Sequence, residues 1–101
     1  VGWNAQQEWE HTDMVSQFRQ TLENIVAVLA QAGAKPEHLV RLTWYITDKK
    51  EYNDNLRGFG AAYRDVIGRH FPTMAVVQVA GLMEDEARVE IEATAVIPHD
   101  G

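Results

Sequence analysis

The side chains best suited to chemistry lie on one face of the last predicted strand. Glu90 and Glu92 alternate there with apolar residues, and Arg88 precedes them on the same side. A carboxylate held beside a reacting group can act as a general base, so Glu90 is a candidate catalytic residue. The same alternation is also typical of an ion-paired or solvent-facing strand surface, and this structural role is the alternative.

Other residue types offer little further chemistry. Cysteine is absent, which excludes disulfides, thiolate nucleophiles and cysteine metal sites. Ser16, the only serine, has no base at a recognisable spacing. No metal site is predicted, because the histidines lack the spacing of paired ligands on a helix. These are His11, His38, His70 and His99. Since no phosphate loop or dinucleotide fingerprint is present either, no cofactor is predicted.

The length and charge of the chain limit the classes of function. The 101 residues are enough for one domain, which we expect to span 1–101. The net charge of −6, with nine dispersed Lys and Arg residues, predicts no binding to nucleic acid. No apolar run is long enough to predict a membrane span, and no secretory leader is recognisable. Together with the absence of cysteine, this favours the cytoplasm.

Two segments have the apolar spacing of amphipathic helices, namely 15–29 and 52–67. The expected capping residues are Thr12 or Asp13 and Gly33 for the first helix, and Asp48 and Gly68 for the second. Gly58 and Gly60 within the second helix lower its stability, which predicts close approach of another backbone there.

Three segments alternate with the period of a strand, namely 39–47, 73–79 and 88–97. The order of elements predicts an α+β fold, with two helices packed on one face of a mixed sheet. We expect Met74 and Val76 on the open face, beside the two glutamates of the last strand. Monomers rarely leave such apolar surface bare, so self-association is predicted.

Several motifs together resemble the reactive intermediate deaminase family, RidA/YjgF, whose members are also called L-PSP-type endoribonucleases or translation inhibitors. The matching segments are TLENIVAVL at 21–29, YITD at 45–48, FPTMAVVQVA at 71–80 and VEIEATAV at 89–96. The resemblance implies a chorismate-mutase-like fold and a homotrimer with a central barrel and three ligand clefts between subunits. It also implies two strands ahead of Val1, which are missing from this sequence.

For the best-known branch, the resemblance implies hydrolysis of reactive enamines and imines to ketoacids and ammonia. In that branch an arginine two residues after a proline holds the substrate carboxylate, and a glutamate on the last strand orients water. Here Met74 stands two residues after Pro72, and methionine carries no charge for such a pair. Glu90 matches the glutamate position.

Three functions follow. The preferred one is an oligomer, a trimer above all, that binds a small molecule in an inter-subunit cleft formed by Met74, Val76, Arg88 and Glu90. The second is an enamine or imine deaminase that uses another cation, such as Arg88 or Arg41. The third is an L-PSP-type endoribonuclease, which the acidic charge disfavours. The alternative role for Met74 is packing at a subunit interface.

Overall fold

The computed structural model describes residues 13–98, which form a mixed three-stranded sheet with helices on one face. Thr12, His11 and His99 lie outside the described part. The elements are α1 (Met14–Gln31), β1 (Leu39–Ile46), α2 (Lys49–Asp54), α3 (Leu56–Val66), β2 (Thr73–Gln78) and β3 (Val89–Ala95), with a 3₁₀ turn at Pro36–His38. The predicted α+β class is confirmed.

The first helix, α1, begins and ends where the sequence predicts. The Asp13 carboxylate accepts a hydrogen bond from the backbone N–H of Ser16 at 2.9 Å, which satisfies an otherwise unpaired donor. Gly33 has a φ of 75°, a conformation that glycine adopts at little cost after a helix. The fully buried apolar residues of α1, Phe18 and Leu22 among them, face the sheet. None of the helices within residues 13–98 has the length and apolarity to cross a membrane.

The second predicted helix is divided into α2 and α3. The Asp48 carboxylate accepts from the backbone N–H of Glu51 at 3.1 Å and caps α2 as expected. Asn55 then interrupts the helix, because its side-chain amide donates to the Glu51 carbonyl oxygen at 2.7 Å. Such a side-chain bond competes with the helical backbone ladder. Gly68, with a φ of 97°, follows α3.

The sheet has the strand order β2-β1-β3. β1 pairs in parallel with β2, through the crossover formed by α2 and α3, and pairs antiparallel with β3. Leu42 of β1 lies opposite Met74 and Ala93, and the next inward residue, Trp44, lies opposite Val76 and Ile91. Paired residues project from the same face, so these six side chains share the face that the helices cover.

This register corrects one expectation from the sequence. Met74 and Val76 do not share a face with Glu90 and Glu92. Val76 is paired with Trp44, which is 7% exposed beneath the helices, whereas Glu90 is paired with Tyr45 on the opposite face. Alternation within one strand defines two sets of side chains, but only the register between strands decides which sets coincide.

The core lies between α1, α3 and the covered face of the sheet. Phe18 is at its centre, with ring centroids 4.7 Å from Trp44 and 4.8 Å from Phe59, both in edge-to-face geometry. Such aromatic pairs add specific geometry to the area they bury. The aromatic rings of β1 and α3 are thereby held in fixed positions around α1.

The two glycines of α3 differ in their surroundings. A Cβ on Gly58 would lie 3.2 Å from both γ-methyl carbons of Val15, so a close approach exists, to a side chain of α1 rather than to a backbone. A Cβ on Gly60 would meet no atom of residues 13–98 within 4 Å, so close approach within this part of the chain does not explain this glycine.

Candidate functional site

A cavity of about 690 Å³ lies between α3 and β2 on the covered side of the sheet. We call it the aromatic cavity. Its lining includes the buried side chains of Trp44, Phe59 and Tyr63, and it also includes half-buried Met74 and exposed Phe71. Ligand sites typically combine such apolar walls with a few polar groups. The aromatic cavity is therefore the candidate site.

Ring packing fixes the walls of the aromatic cavity. Phe59 stacks on Trp44 with centroids 6.5 Å apart, and Tyr52 packs against Phe59 at 4.8 Å. Tyr63 stacks on Phe71 at 5.4 Å and donates its hydroxyl hydrogen to the carbonyl oxygen of His70 at 2.5 Å. The aromatic side chains that line the cavity are thus positioned by ring contacts with one another and by one hydrogen bond to the backbone.

The two tyrosines of the aromatic cavity contribute no charge at neutral pH. Burial raises the pKa of Tyr52 and the pKa of Tyr63 above the usual value, because a phenolate loses hydration in this setting. Both phenols therefore remain protonated under physiological conditions.

Two arginines of α3 supply positive charge at the aromatic cavity. Arg57, Gly60 and Arg64 all line it, and their spacing of three and four residues places them on one face of the helix. Both guanidinium groups belong to exposed residues. Within residues 13–98 neither is ion-paired, whereas Arg19 and Arg88 are each held by a carboxylate. The aromatic cavity thus has an apolar interior and a cationic rim.

The structure separates the site residues that the sequence grouped. Met74 lines the aromatic cavity, and Val76 lies on the same face of the sheet with 40% of its surface exposed. Glu90 is half-buried on the opposite face, beside Tyr45. The Tyr45 hydroxyl donates to a carboxylate oxygen of Glu92 at 3.0 Å, and this bond raises the pKa of Tyr45.

The two cations considered from the sequence as substitutes for the arginine that the resemblance implies also lie elsewhere. β3 begins at Val89, so Arg88 is outside the strand, and its guanidinium pairs with Glu51 at 2.7 Å rather than lying beside Glu90. Arg41 is exposed on the face opposite Met74, since it adjoins inward-facing Leu42. The cations that share a cavity with Met74 are those of α3.

Sequence reasoning overlooked Arg57 and Arg64. Their spacing of seven residues around Gly60 was the available signal, because it places two cations and an open position on one helix face. The spacing alone does not say what this face meets. Only the packing of α3 above β2 brings the arginines to the cavity that contains Met74.

The histidines of the described segment make structural bonds. His38 accepts the backbone N–H of Lys35 at Nδ1, at 3.0 Å, and His70 Nε2 lies 2.7 Å from the Leu39 carbonyl oxygen. Within residues 13–98, no three histidine or carboxylate side chains lie close enough together to hold a metal ion.

Comparison with known proteins identifies the family of this chain and its fold. The sequence profile of the family described as Endoribonuclease L-PSP matches residues 1–97. The chain belongs to this family, whose members include the RidA/YjgF proteins. Both the family and the fold inferred from the sequence motifs are confirmed.

Curated relatives include Protein DfrA of Myxococcus xanthus, which is 36% identical over 96 residues, covering 91% of this chain and 66% of the relative. The 2-iminobutanoate/2-iminopropanoate deaminase of Salmonella typhimurium is 34% identical over 87 residues, covering 83% of this chain and 64% of the relative. The chain thus spans about two-thirds of the length of the curated relatives it matches.

Solved structures agree with this assignment. A Rid-family protein of unknown function from Yersinia pestis, YyfB, is 32% identical with a TM-score of 0.84, covering 96% of this chain and 73% of that protein. Escherichia coli TdcF with bound serine is 31% identical with a TM-score of 0.76, covering 92% and 72%.

Proposed function

We propose that this protein is an oligomer, most simply a trimer, that binds a small molecule at a cleft between subunits and lacks standard imine deaminase activity. The observation that carries the proposal is the position of Met74, which lines the aromatic cavity two residues after Pro72. The family resemblance calls for an arginine at this position. The cytoplasmic location stays a prediction from the amino-acid composition.

The lack of charge at Met74 has a calculable consequence. A short imino acid carries its carboxylate close to the reacting carbon, so the cation that binds it must lie deep in the site. Losing one partner of a buried, charge-assisted pair costs about 2–5 kcal/mol. This corresponds to a loss of affinity of roughly thirtyfold to several thousandfold. Methionine offers only apolar contact in return.

The separation of Met74 from Glu90 supports assembly. They belong to β2 and β3, the two outer strands of the described sheet, and lie on opposite faces. One copy of residues 13–98 therefore does not bring them together. A cleft that uses both requires a second copy, which would also cover the face that carries Ala75 and Val77. Both of these residues are exposed.

The second candidate function is hydrolysis of enamines or imines. Similarity to the Salmonella deaminase favours it, and so do Arg57 and Arg64 at the same cavity, which form no ion pair within residues 13–98. These cations lie on the exposed side of α3, whereas Met74 is half-buried on the strand. A short substrate anchored at the rim would therefore be displaced from the position next to Met74.

The test is a paired hydrolysis assay on 2-iminopropionate generated in situ, using the natural protein and Met74→Arg. The Salmonella deaminase serves as the positive control, and Met74→Leu, which keeps the apolar character, serves as the matched control. We expect turnover near background for the natural protein and for Met74→Leu, and a gain for Met74→Arg.

Each outcome has a distinct meaning. Turnover by the natural protein at a rate comparable to that of the Salmonella deaminase would overturn the proposal in favour of the second candidate. A gain confined to Met74→Arg would support an intact cleft that lacks only its cation. If that gain disappears in Met74→Arg combined with Glu90→Gln, Glu90 acts in the same site.

A further inference from the structure

We propose that the aromatic cavity binds an organic carboxylate with an apolar body, the anionic end held at the rim by Arg57 and Arg64. This inference rests on the proposed function and names the class of ligand. It places the apolar end beside Met74 and the charged end on α3. A ligand oriented in this way differs from a short imino acid, which has no apolar body to occupy the interior.

The charged residues that line the aromatic cavity favour an anionic ligand. Among residues 13–98, Arg57 and Arg64 are the charged residues that line it, and no carboxylate of this part of the chain does. The phenols of half-buried Tyr52 and buried Tyr63 stay neutral because burial raises their pKa values. A guanidinium stays protonated at any physiological pH. The rim is therefore positive on a chain whose net charge is −6, which selects anions locally.

The geometry of α3 leaves room for a carboxylate between the two arginines. Arg57 and Arg64 are two helical turns apart, which is about 10 Å along the axis. Gly60 lies between them, and no other atom of the described residues lies within 4 Å of the position a Cβ would take. A carboxylate can therefore approach the helix between the two guanidinium groups. Planar guanidinium groups bind carboxylates through paired hydrogen bonds.

The interior of the aromatic cavity suits the apolar part of a ligand. Trp44 and Phe59 are 7% and 2% exposed, so a ring or alkyl chain that enters meets apolar surface. Within residues 13–98, the indole N–H of Trp44 is the buried side-chain donor without a hydrogen-bond partner. Because this N–H is itself buried, the part of the indole that borders the cavity is apolar.

The experiment uses three probes that separate charge from apolar body. 3-Phenylpropionate has both, 3-phenylpropionamide keeps the ring without the charge, and propionate keeps the charge without the ring. Binding is measured by calorimetry, and the Trp44 indole N–H resonance reports the location. We expect 3-phenylpropionate to bind about tenfold more tightly than the amide, because it adds a hydrogen-bonded charge, and also more tightly than propionate, because it adds an apolar ring. Binding should weaken in high salt because the rim is exposed.

Substitutions test whether the preference for the carboxylate comes from the arginines at the rim. We expect Arg57→Gln to weaken 3-phenylpropionate about tenfold while leaving the amide unchanged. Lys35→Gln is the matched control, because it removes one positive charge from an exposed position outside the cavity lining. Circular dichroism of each variant establishes that it is folded.

Three results would count against the inference. If the amide binds as tightly as the acid, or if Arg57→Gln has no more effect than Lys35→Gln, the rim does not recognise a carboxylate. In that case a small-molecule site remains and only this inference fails. If none of the probes shifts the Trp44 resonance at millimolar concentration, the inference fails and the aromatic cavity loses its support as the site of the proposed function.

Discussion

The two glycines of α3 allow a test of how this helix is seated above the sheet. Replacing glycine by alanine inside a helix stabilises it by about 1 kcal/mol when the new methyl group has room. Gly60 has that room, so Gly60→Ala should raise the free energy of unfolding by about 1 kcal/mol. Gly58 does not, because its new Cβ would lie 3.2 Å from both γ-carbons of Val15.

For Gly58→Ala the same gain is opposed by crowding. Forcing an extra methyl group into a packed contact costs about 1–3 kcal/mol, so the net change should lie between zero and about 2 kcal/mol of destabilisation. Val15→Ala removes the obstructing methyl groups. In that background, Gly58→Ala should become as stabilising as Gly60→Ala, and the double-mutant cycle isolates the contact.

Urea unfolding at one fixed protein concentration measures these differences, since association would otherwise change the apparent stability. A thermal scan should separate the two single variants by several degrees, because about 1 kcal/mol shifts the midpoint of a domain this size by roughly 4–8 °C. Equal stabilisation by both substitutions would show that α3 is not pressed against α1. A destabilising Gly60→Ala would mean that the space beside Gly60 is filled in solution.

Three further predictions concern the pH dependence of stability, self-association and RNA binding. The raised pKa values of Tyr52 and Tyr63 predict that their contribution to stability is fully present below about pH 10 and is lost as the pH rises further, because these tyrosines ionise first in the unfolded chain. Denaturant unfolding between neutral and alkaline pH tests the sign. Sedimentation velocity at micromolar concentration should give a trimer, and a monomer would contradict assembly. Nuclease-free protein should not retain RNA at physiological salt, because nine dispersed cations on a chain of net charge −6 release few counterions; salt-sensitive retention would contradict this.

Local chemistry in the sequence determined the elements and their ends. The apolar period of α1 and the caps at Asp13 and Asp48 depend on residues a few positions apart. The same holds for the left-handed glycines, Gly33 and Gly68. The division of the second helix at Asn55 is local too, but its side-chain bond competes closely with helix propensity, and the apolar spacing continues through it.

The candidate site depended on tertiary structure, because contacts between distant segments define it. Alternation along β2 and β3 gave the correct sets of side chains, yet the register with β1 decided that Met74 faces the helices and Glu90 faces away. Arg88 similarly found its partner in α2, 37 residues earlier in the chain. The sequence determined the family, and it placed Met74 where the family resemblance implies an arginine. Only the packing of α3 over β2 placed Arg57 at the same cavity, because the pairing of segments far apart in the chain is not encoded in the period of either one.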